Sequence, residues 1–206
     1  GNTRRYSSSL KKISKVVDPR PGEIMFGLNM VVNKGKTVFI ADTTVHEYPS
    51  SKQLAEIAKS SARVVRLFGF DPKIAFLSHS TFGTPLTSRT KHIRDAVEIL
   101  KEMKVDFKFD GDMQPDVALN EEYKELYPFS DIVGKANVLI MPGQHSAAIS
   151  YKIMKTLGGA KVIGPLLIGL GRAIEIAPLR SSTSDILNLA SVAAYSSGVI
   201  NYGKIN

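Results

Sequence analysis

The stretch Lys73-Ile74-Ala75-Phe76-Leu77-Ser78-His79-Ser80-Thr81-Phe82-Gly83 passes from a short apolar run straight into a hydroxyl-rich turn, and a patterned helix follows. Four apolar residues bounded by turn residues read as a buried strand. The turn offers donors to a phosphate or carboxylate through its hydroxyls, the flexible backbone at Gly83 and the open N–H groups of a following helix start. It also stands at a strand's carboxyl end, where open α/β sheets take their ligands. Ser78, Ser80, Thr81 and Gly83 are therefore the first candidate ligand-binding residues.

Working outward, Leu54, Ile57, Ala58, Ala62, Val65 and Phe68 give one apolar helical face, stopped by Gly69 and Pro72. Ile93, Ala96, Val97, Leu100 and Met103 repeat that spacing in a helix over residues 89–103, and a strand is expected at 105–109. Upstream, Leu10, Ile13, Val16 and Val17 suit a short helix ended by Asp18-Pro19-Arg20-Pro21-Gly22. A hairpin follows, with strands at 26–32 and 37–41 joined by Asn33-Lys34-Gly35-Lys36. Downstream, a helical turn is expected over 112–119, strands at 138–141 and 161–163, and a helix at 147–157. Ile186, Leu189, Ala190, Ala193 and Ala194 mark a last helix. Helices alternating with short buried strands imply a three-layer α/β fold, with a largely parallel sheet covered on both faces and the hairpin as an antiparallel addition.

The composition is consistent with this and excludes several classes. With 206 residues, 43% of them hydrophobic and 22% charged, the chain can bury a real core and is not a disordered segment. It has no cysteine, so neither disulfides nor thiolate sites exist, which suits a reducing cytoplasm. The longest apolar stretch, residues 162–170, is short and broken by Gly164, Pro165 and Gly169, so neither a membrane span nor membrane partner is expected. The charge of +8 is partly local: residues 1–20 carry six basic side chains against Asp18 alone. With only Tyr6 nearby, the run reads as a solvated face rather than a nucleic-acid site.

Three other loops share the position of the Ser78–Gly83 turn. They are Phe109-Asp110-Gly111-Asp112-Met113-Gln114-Pro115-Asp116, Met141-Pro142-Gly143-Gln144-His145-Ser146 and the run from Ile163 to Leu170. Together they could line one crevice. Asp112 and Asp116, four residues apart, would share a helical face, as a carboxylate pair or a divalent-metal site, or Asp112 would cap the helix start, the reading preferred. His79 and His145 lack a neighbouring pattern that would orient them as bases, and the four histidines lack zinc spacing, so no metal site is expected.

These motifs, in order, closely resemble the phosphate acetyl/butyryl transferase family: Ala41-Asp42-Thr43, Leu77 to Gly83, Asp110 to Leu119, Ala136 to Pro142, and Gly164-Pro165-Leu166-Leu167-Ile168-Gly169-Leu170. Thr3-Arg4-Arg5-Tyr6-Ser7, Asp18 to Gly22, residues 37–46 and Ser184-Asp185-Ile186-Leu187-Asn188 resemble one subgroup, the C-terminal phosphotransacetylase-like domain of bacterial NADP-dependent malic enzymes. The resemblance implies an isocitrate/isopropylmalate-dehydrogenase-like fold of phosphotransacetylase type, present in part. Residues 1–20 would belong with a first subdomain, 21–170 would form the second, and 171–206 would pack back toward the first.

For binding, Gln114, Gly164, Pro165 and Gly169 join the Ser78–Gly83 turn as expected ligand contacts. In family transferases two arginines bind phosphate and an aspartate takes the thiol proton. Arg5 and Asp185 match two of these positions, but Leu179 falls where the second arginine belongs, with Arg180 one residue late. Catalysis is therefore not expected of this chain, with Arg5, Arg180 and Asp185 as vestigial candidates; the alternative is an active phosphate acetyltransferase using all three.

The resemblance further implies acetyl-CoA as an allosteric effector, self-association as a dimer or higher oligomer, and the malic-enzyme catalytic region as a partner in the same parent chain. The parent reaction would use NADP and a divalent metal, Mg or Mn, neither of them held by this part, which shows no Gly-x-Gly-x-x-Gly fingerprint.

Overall fold

The computed structural model describes residues 4–202; residues 1–3, with Thr3 of the opening motif, and residues 203–206 lie outside the described residues. In chain order the elements are α1 (Tyr6–Ile13), β1 (Phe26–Asn33), β2 (Lys36–Ala41), α2 (Ser51–Leu67), β3 (Lys73–Leu77) and α3 (Ser88–Glu102). They continue with β4 (Lys108–Met113), α4 (Pro115–Leu119), a 3-10 turn (Glu121–Glu125), β5 (Val138–Ile140), α5 (Gln144–Thr156), β6 (Lys161–Ile168) and α6 (Thr183–Tyr202). One six-stranded sheet results, in the order β4-β3-β5-β2-β1-β6.

Period-two alternation along the strands sorts side chains to two faces. Phe39, Ile74, Phe76, Val138 and Ile140 point into one buried cluster with Leu54, Ile57, Ile93 and Leu100 of α2 and α3 and Leu189 of α6. Ile40, Ala75, Leu77 and Leu139 point to the other, with Val117 of α4 and Ala147 of α5. Both long helices start on a capping box: Ser50 Oγ accepts from Gln53 N–H while Gln53 Oε1 accepts from Ser50 N–H, and Thr87 and Thr90 do the same before α3. A third, smaller cluster seats Tyr6, Leu10 and Ile13 of α1 against Leu167, Leu170 and Ile176.

The largely parallel three-layer sheet is as expected, since β4, β3, β5 and β2 pair in parallel. The hairpin is an antiparallel addition, as expected, with β1 inside the sheet and antiparallel to both β2 and β6. Two local expectations are corrected. Gly164 and Pro165 do not begin a loop but sit within β6. There Pro165 is tolerated because β6 is an edge strand with a register shift opposite Leu28–Met30. Gly164 has φ +125, and a Cβ on it would lie 2.9 Å from the Leu28 carbonyl oxygen.

The second correction concerns β4, Lys108–Met113 where 105–109 was expected, which takes in Asp110, Gly111 and Asp112. As an edge strand paired only with β3, it accommodates turn-type residues, and the register shifts at Phe76/Leu77. Asp112 therefore neither caps α4 nor shares a helical face with Asp116. Gln114 occupies the N-cap, with Pro115 next to it.

Candidate functional site

At the carboxyl edge of β3, the Ser78–Gly83 turn already holds an anion, and that anion belongs to the chain. The Asp112 carboxylate, fully buried, accepts from Gly83 N–H at 3.0 Å through Oδ1 and from the Ser80 hydroxyl through Oδ2. Ser78 and Ser80 hydroxyls lie 3.1 Å apart, Phe82 N–H donates to Asp112 O at 2.7 Å, and Thr81 Oγ1 accepts from Gln114 N–H at 3.3 Å. The helix start that the turn was expected to borrow belongs instead to Thr87, several residues on. The donors counted as a cradle thus brace β3 against β4, leaving His79 exposed.

A second buried carboxylate closes the end of β2. Asp42 accepts from Gly27, Thr44 and Val45 N–H groups through Oδ1, at 2.8–3.1 Å, and from His46 N–H and Nδ1 through Oδ2, both at 2.7 Å. Because a carboxylate only accepts, the contact places a proton on His46 Nδ1. The sequence signal was an acidic residue directly after an apolar strand, Phe39-Ile40-Ala41-Asp42.

Between the loops after β2 and β5 opens a cleft of about 790 Å³. Its helices lie on opposite faces of the sheet, α2 and α3 on one and α5 on the other, so the cleft occupies a topological switch point. Glu47, Arg89, His92 and His145 line it, with Tyr48 at its mouth. His145 Nε2 pairs with Glu47 Oε1 at 2.7 Å, an orienting partner 98 residues away that local sequence could not reveal. His92 Nε2 donates to the Pro49 carbonyl at 2.7 Å, and Ser51 Oγ lies 2.9 Å from Nδ1.

Residues at the N-termini of α2, α3 and α5 reach this space. Gly143 caps α5 without a side chain, so among the described residues the backbone N–H groups of His145 and Ser146 have no partner. Helix starts and an arginine in a cleft of cofactor size favour an anionic ligand.

The remaining predicted residues are scattered. Arg5 stands exposed at the N-cap of α1. Asp185 exchanges hydrogen bonds with Ser182 at the start of α6, and the Ser182 N–H holds its carboxyl below the usual range. Leu179 and Arg180 are exposed on the segment before it, and no ion pair forms at Arg5 or Arg180 among the described residues. Gly169 lines a separate, smaller cavity. There φ is +87, and a Cβ would strike the Ile24 carbonyl oxygen. The four loops therefore do not line one crevice: of them, only the loop carrying Gly143, His145 and Ser146 reaches the large cleft.

A sequence model described as Phosphate acetyl/butaryl transferase matches residues 1–194. The chain belongs to this transferase family. It is similar to the NADP-dependent malic enzyme of Rhizobium meliloti (strain 1021), at 46% identity over 198 residues, which is 96% of this chain and 26% of that protein. It is also similar to the Phosphate acetyltransferase of Bacillus subtilis (strain 168), at 34% identity over 166 residues, covering 80% of this chain and 51% of that one. Among solved structures, a phosphotransacetylase from Streptococcus pyogenes superposes with a TM-score of 0.86 at 29% identity, covering 96% of this chain and 61% of that chain.

The phosphate acetyl/butaryl transferase region thus spans about a quarter of the length of the malic enzyme, and the resemblance read from the motifs, to the phosphotransacetylase-like part of malic enzymes, is borne out. No described helix of this transferase-family chain is long and apolar enough to cross a membrane.

Proposed function

We propose that this chain is the regulatory and oligomerising C-terminal domain of a cytoplasmic NADP-dependent malic enzyme, binding acetyl-CoA as an effector without transferring its acyl group. One observation carries the reading: the transferase side chains are not gathered at a ligand site, whereas a large cleft with converging helix starts is. Arg5 and Arg180 stand exposed, Asp185 is engaged in a helix cap, and Leu179 occupies the position where the resemblance asks for a guanidinium. Without that fork the developing charge on a phosphate would lose a bidentate partner, a loss of several orders of magnitude in rate in comparable sites. The cleft retains Arg89, open N–H groups on α5 and an apolar wall at Ile93, which suit a phosphate-bearing cofactor with an acyl tail.

Two surfaces support the assembly part of the proposal. Ile149, Ile153 and Leu157 form an exposed stripe on α5, at 58%, 52% and 84% exposure, where a second copy would pack. Ile186, Leu187 and Tyr195 of α6 are also exposed, consistent with docking on a first subdomain. By resemblance, the divalent metal and NADP of malate oxidation to pyruvate would belong to the rest of the parent.

The test is malate oxidation by the full-length protein as acetyl-CoA is titrated, for wild type and Arg89→Ala. A saturable change in malate kinetics, weakened in the variant, is expected. Identical kinetics at every acetyl-CoA concentration would remove the regulatory reading. Acetyl-CoA formation from acetyl phosphate and CoA at transferase-like rates would instead favour the catalytic alternative.

A further inference from the structure

On the α2/α6 face, between α2, α6 and the end of β6, lies a cavity of about 50 Å³ that shares no lining residue with the cleft. Three arginines line it, Arg20, Arg63 and Arg172, together with Gly169 and Glu175. Compensation is thin. Glu23 is shared between two of the arginines, with Oε2 at 2.8 Å from Arg63 Nη2 and Oε1 at 3.9 Å from Arg20 Nη1. Among the described residues Arg172 has no carboxylate within ion-pair distance.

Glu175, the other carboxyl lining the space, accepts from Leu167 N–H at 3.0 Å. Burial raises its pKa to about 8, so it is largely protonated at neutral pH and does not offset the arginines. Arg20 registers the imbalance: burial first and the like charge of Arg63 second lower its proton affinity, with Glu23 opposing them. Three arginines lining one small cavity, with a single carboxylate ion-paired to two of them, is an arrangement that an anion completes.

We infer that this cavity is an anion site, in which Arg20, Arg63 and Arg172 grip a phosphate group of a small ligand, apart from the cleft between β2 and β5. Guanidinium forks match phosphate oxygens bidentately, and three of them around one space exceed what a single structural carboxylate needs. Roughly 10–15 Å³ of such volume admits one water, so the cavity has room for a tetrahedral oxyanion. Its mouth is open, since Arg20 and Arg63 keep 25% and 41% of their side chains accessible. A free phosphate and a phosphate carried on a nucleotide share this chemistry.

The experiment is calorimetric titration of the purified full-length protein with inorganic phosphate, pyrophosphate and adenosine 3′,5′-bisphosphate, in wild type, Arg172→Gln, Arg20→Gln and, as a control that removes an exposed charge outside both cavities, Lys36→Gln. Saturable binding of at least one probe is expected, weakened by about tenfold or more in both arginine variants and unchanged in Lys36→Gln; the probe that binds most tightly identifies the source of the phosphate. Circular dichroism verifies folding. Arg172 is exposed and forms no ion pair among the described residues, so its replacement by Gln leaves the fold intact and keeps the test decisive if Arg20→Gln unfolds. Absence of saturable binding, binding indifferent to the arginine variants, or binding weakened equally in Lys36→Gln would each overturn the assignment. The outcome is separable from the acetyl-CoA reading, whose test reads malate kinetics through Arg89.

Discussion

Replacing Glu175 by Gln tests how a half-buried carboxyl shapes the pH dependence of stability. In the folded protein burial raises this group from 4.5 to about 8, while the Leu167 N–H works in the opposite direction. Below about pH 4.5 the carboxyl is protonated in both folded and unfolded chains, and above about pH 8 it is ionised in both. Between these limits the folded state keeps a proton that the unfolded state has released, so stability falls as pH rises through the window. At ~1.36 kcal/mol per unit, the difference corresponds to an upper limit on the order of 4–5 kcal/mol. Partial solvent access and local relaxation reduce the measurable effect to about 2–3 kcal/mol.

Glu175→Gln keeps an oxygen to accept from Leu167 N–H and removes the ionisation, so its contribution is flat across the window. Urea unfolding at several pH values between about 5 and about 8 makes the comparison: the wild type should lose stability relative to the variant toward the alkaline end. Parallel profiles would refute the reasoning, because they would mean that Glu175 titrates alike in both states.

Other outcomes follow from the same contacts. Asp112→Ala strands the Gly83 N–H and the Ser80 hydroxyl, and should lower unfolding free energy by about 2–4 kcal/mol in denaturant titration. Gly169→Ala forces a side chain against the Ile24 carbonyl at positive φ; a loss of about 2–4 kcal/mol is expected, with Gly22→Ala, positive in φ but in open space, costing about 1 kcal/mol. Ser50→Ala dissolves the capping box of α2 and should cost about 1 kcal/mol. Ile153→Glu on the exposed face of α5 should leave thermal stability within about 0.5 kcal/mol and shift the sedimentation profile toward smaller species.

The parts of this molecule legible in its sequence are those governed by short-range periodicity. The apolar spacing of Leu54 to Val65 and of Ile93 to Leu100 placed α2 and α3 to within a few residues, because each helix buries a single face and carries its own cap. β6 was misjudged because Gly164 and Pro165 break a strand only where both edges must pair, and edge position is a property of the finished sheet. The Ser78–Gly83 turn was located correctly, but the Asp112 that fills it arrives from about thirty residues downstream. The cleft draws Glu47 from a loop, Arg89 and His92 from α3 and His145 from α5, and the arginine cavity draws on a loop, a helix and a second loop. No window of sequence holds either group together.

The placement of β1 between β2 and β6 has a kinetic side. β1 pairs with β2 within a hairpin and can form early, but its other edge waits for a strand that begins about 130 residues later. At synthesis rates of about 5–20 residues per second, that edge, Phe26-Gly27-Leu28-Asn29-Met30-Val31-Val32-Asn33, stays open on a nascent chain for on the order of ten seconds. It carries no charge and is rich in β-forming side chains, a composition that invites pairing with a second ribosome's product. Production of this protein is therefore most vulnerable in the interval before residues 161–168 emerge, and slower translation or a scarcity of holding chaperones should lower soluble yield without any change in the stability of the finished fold.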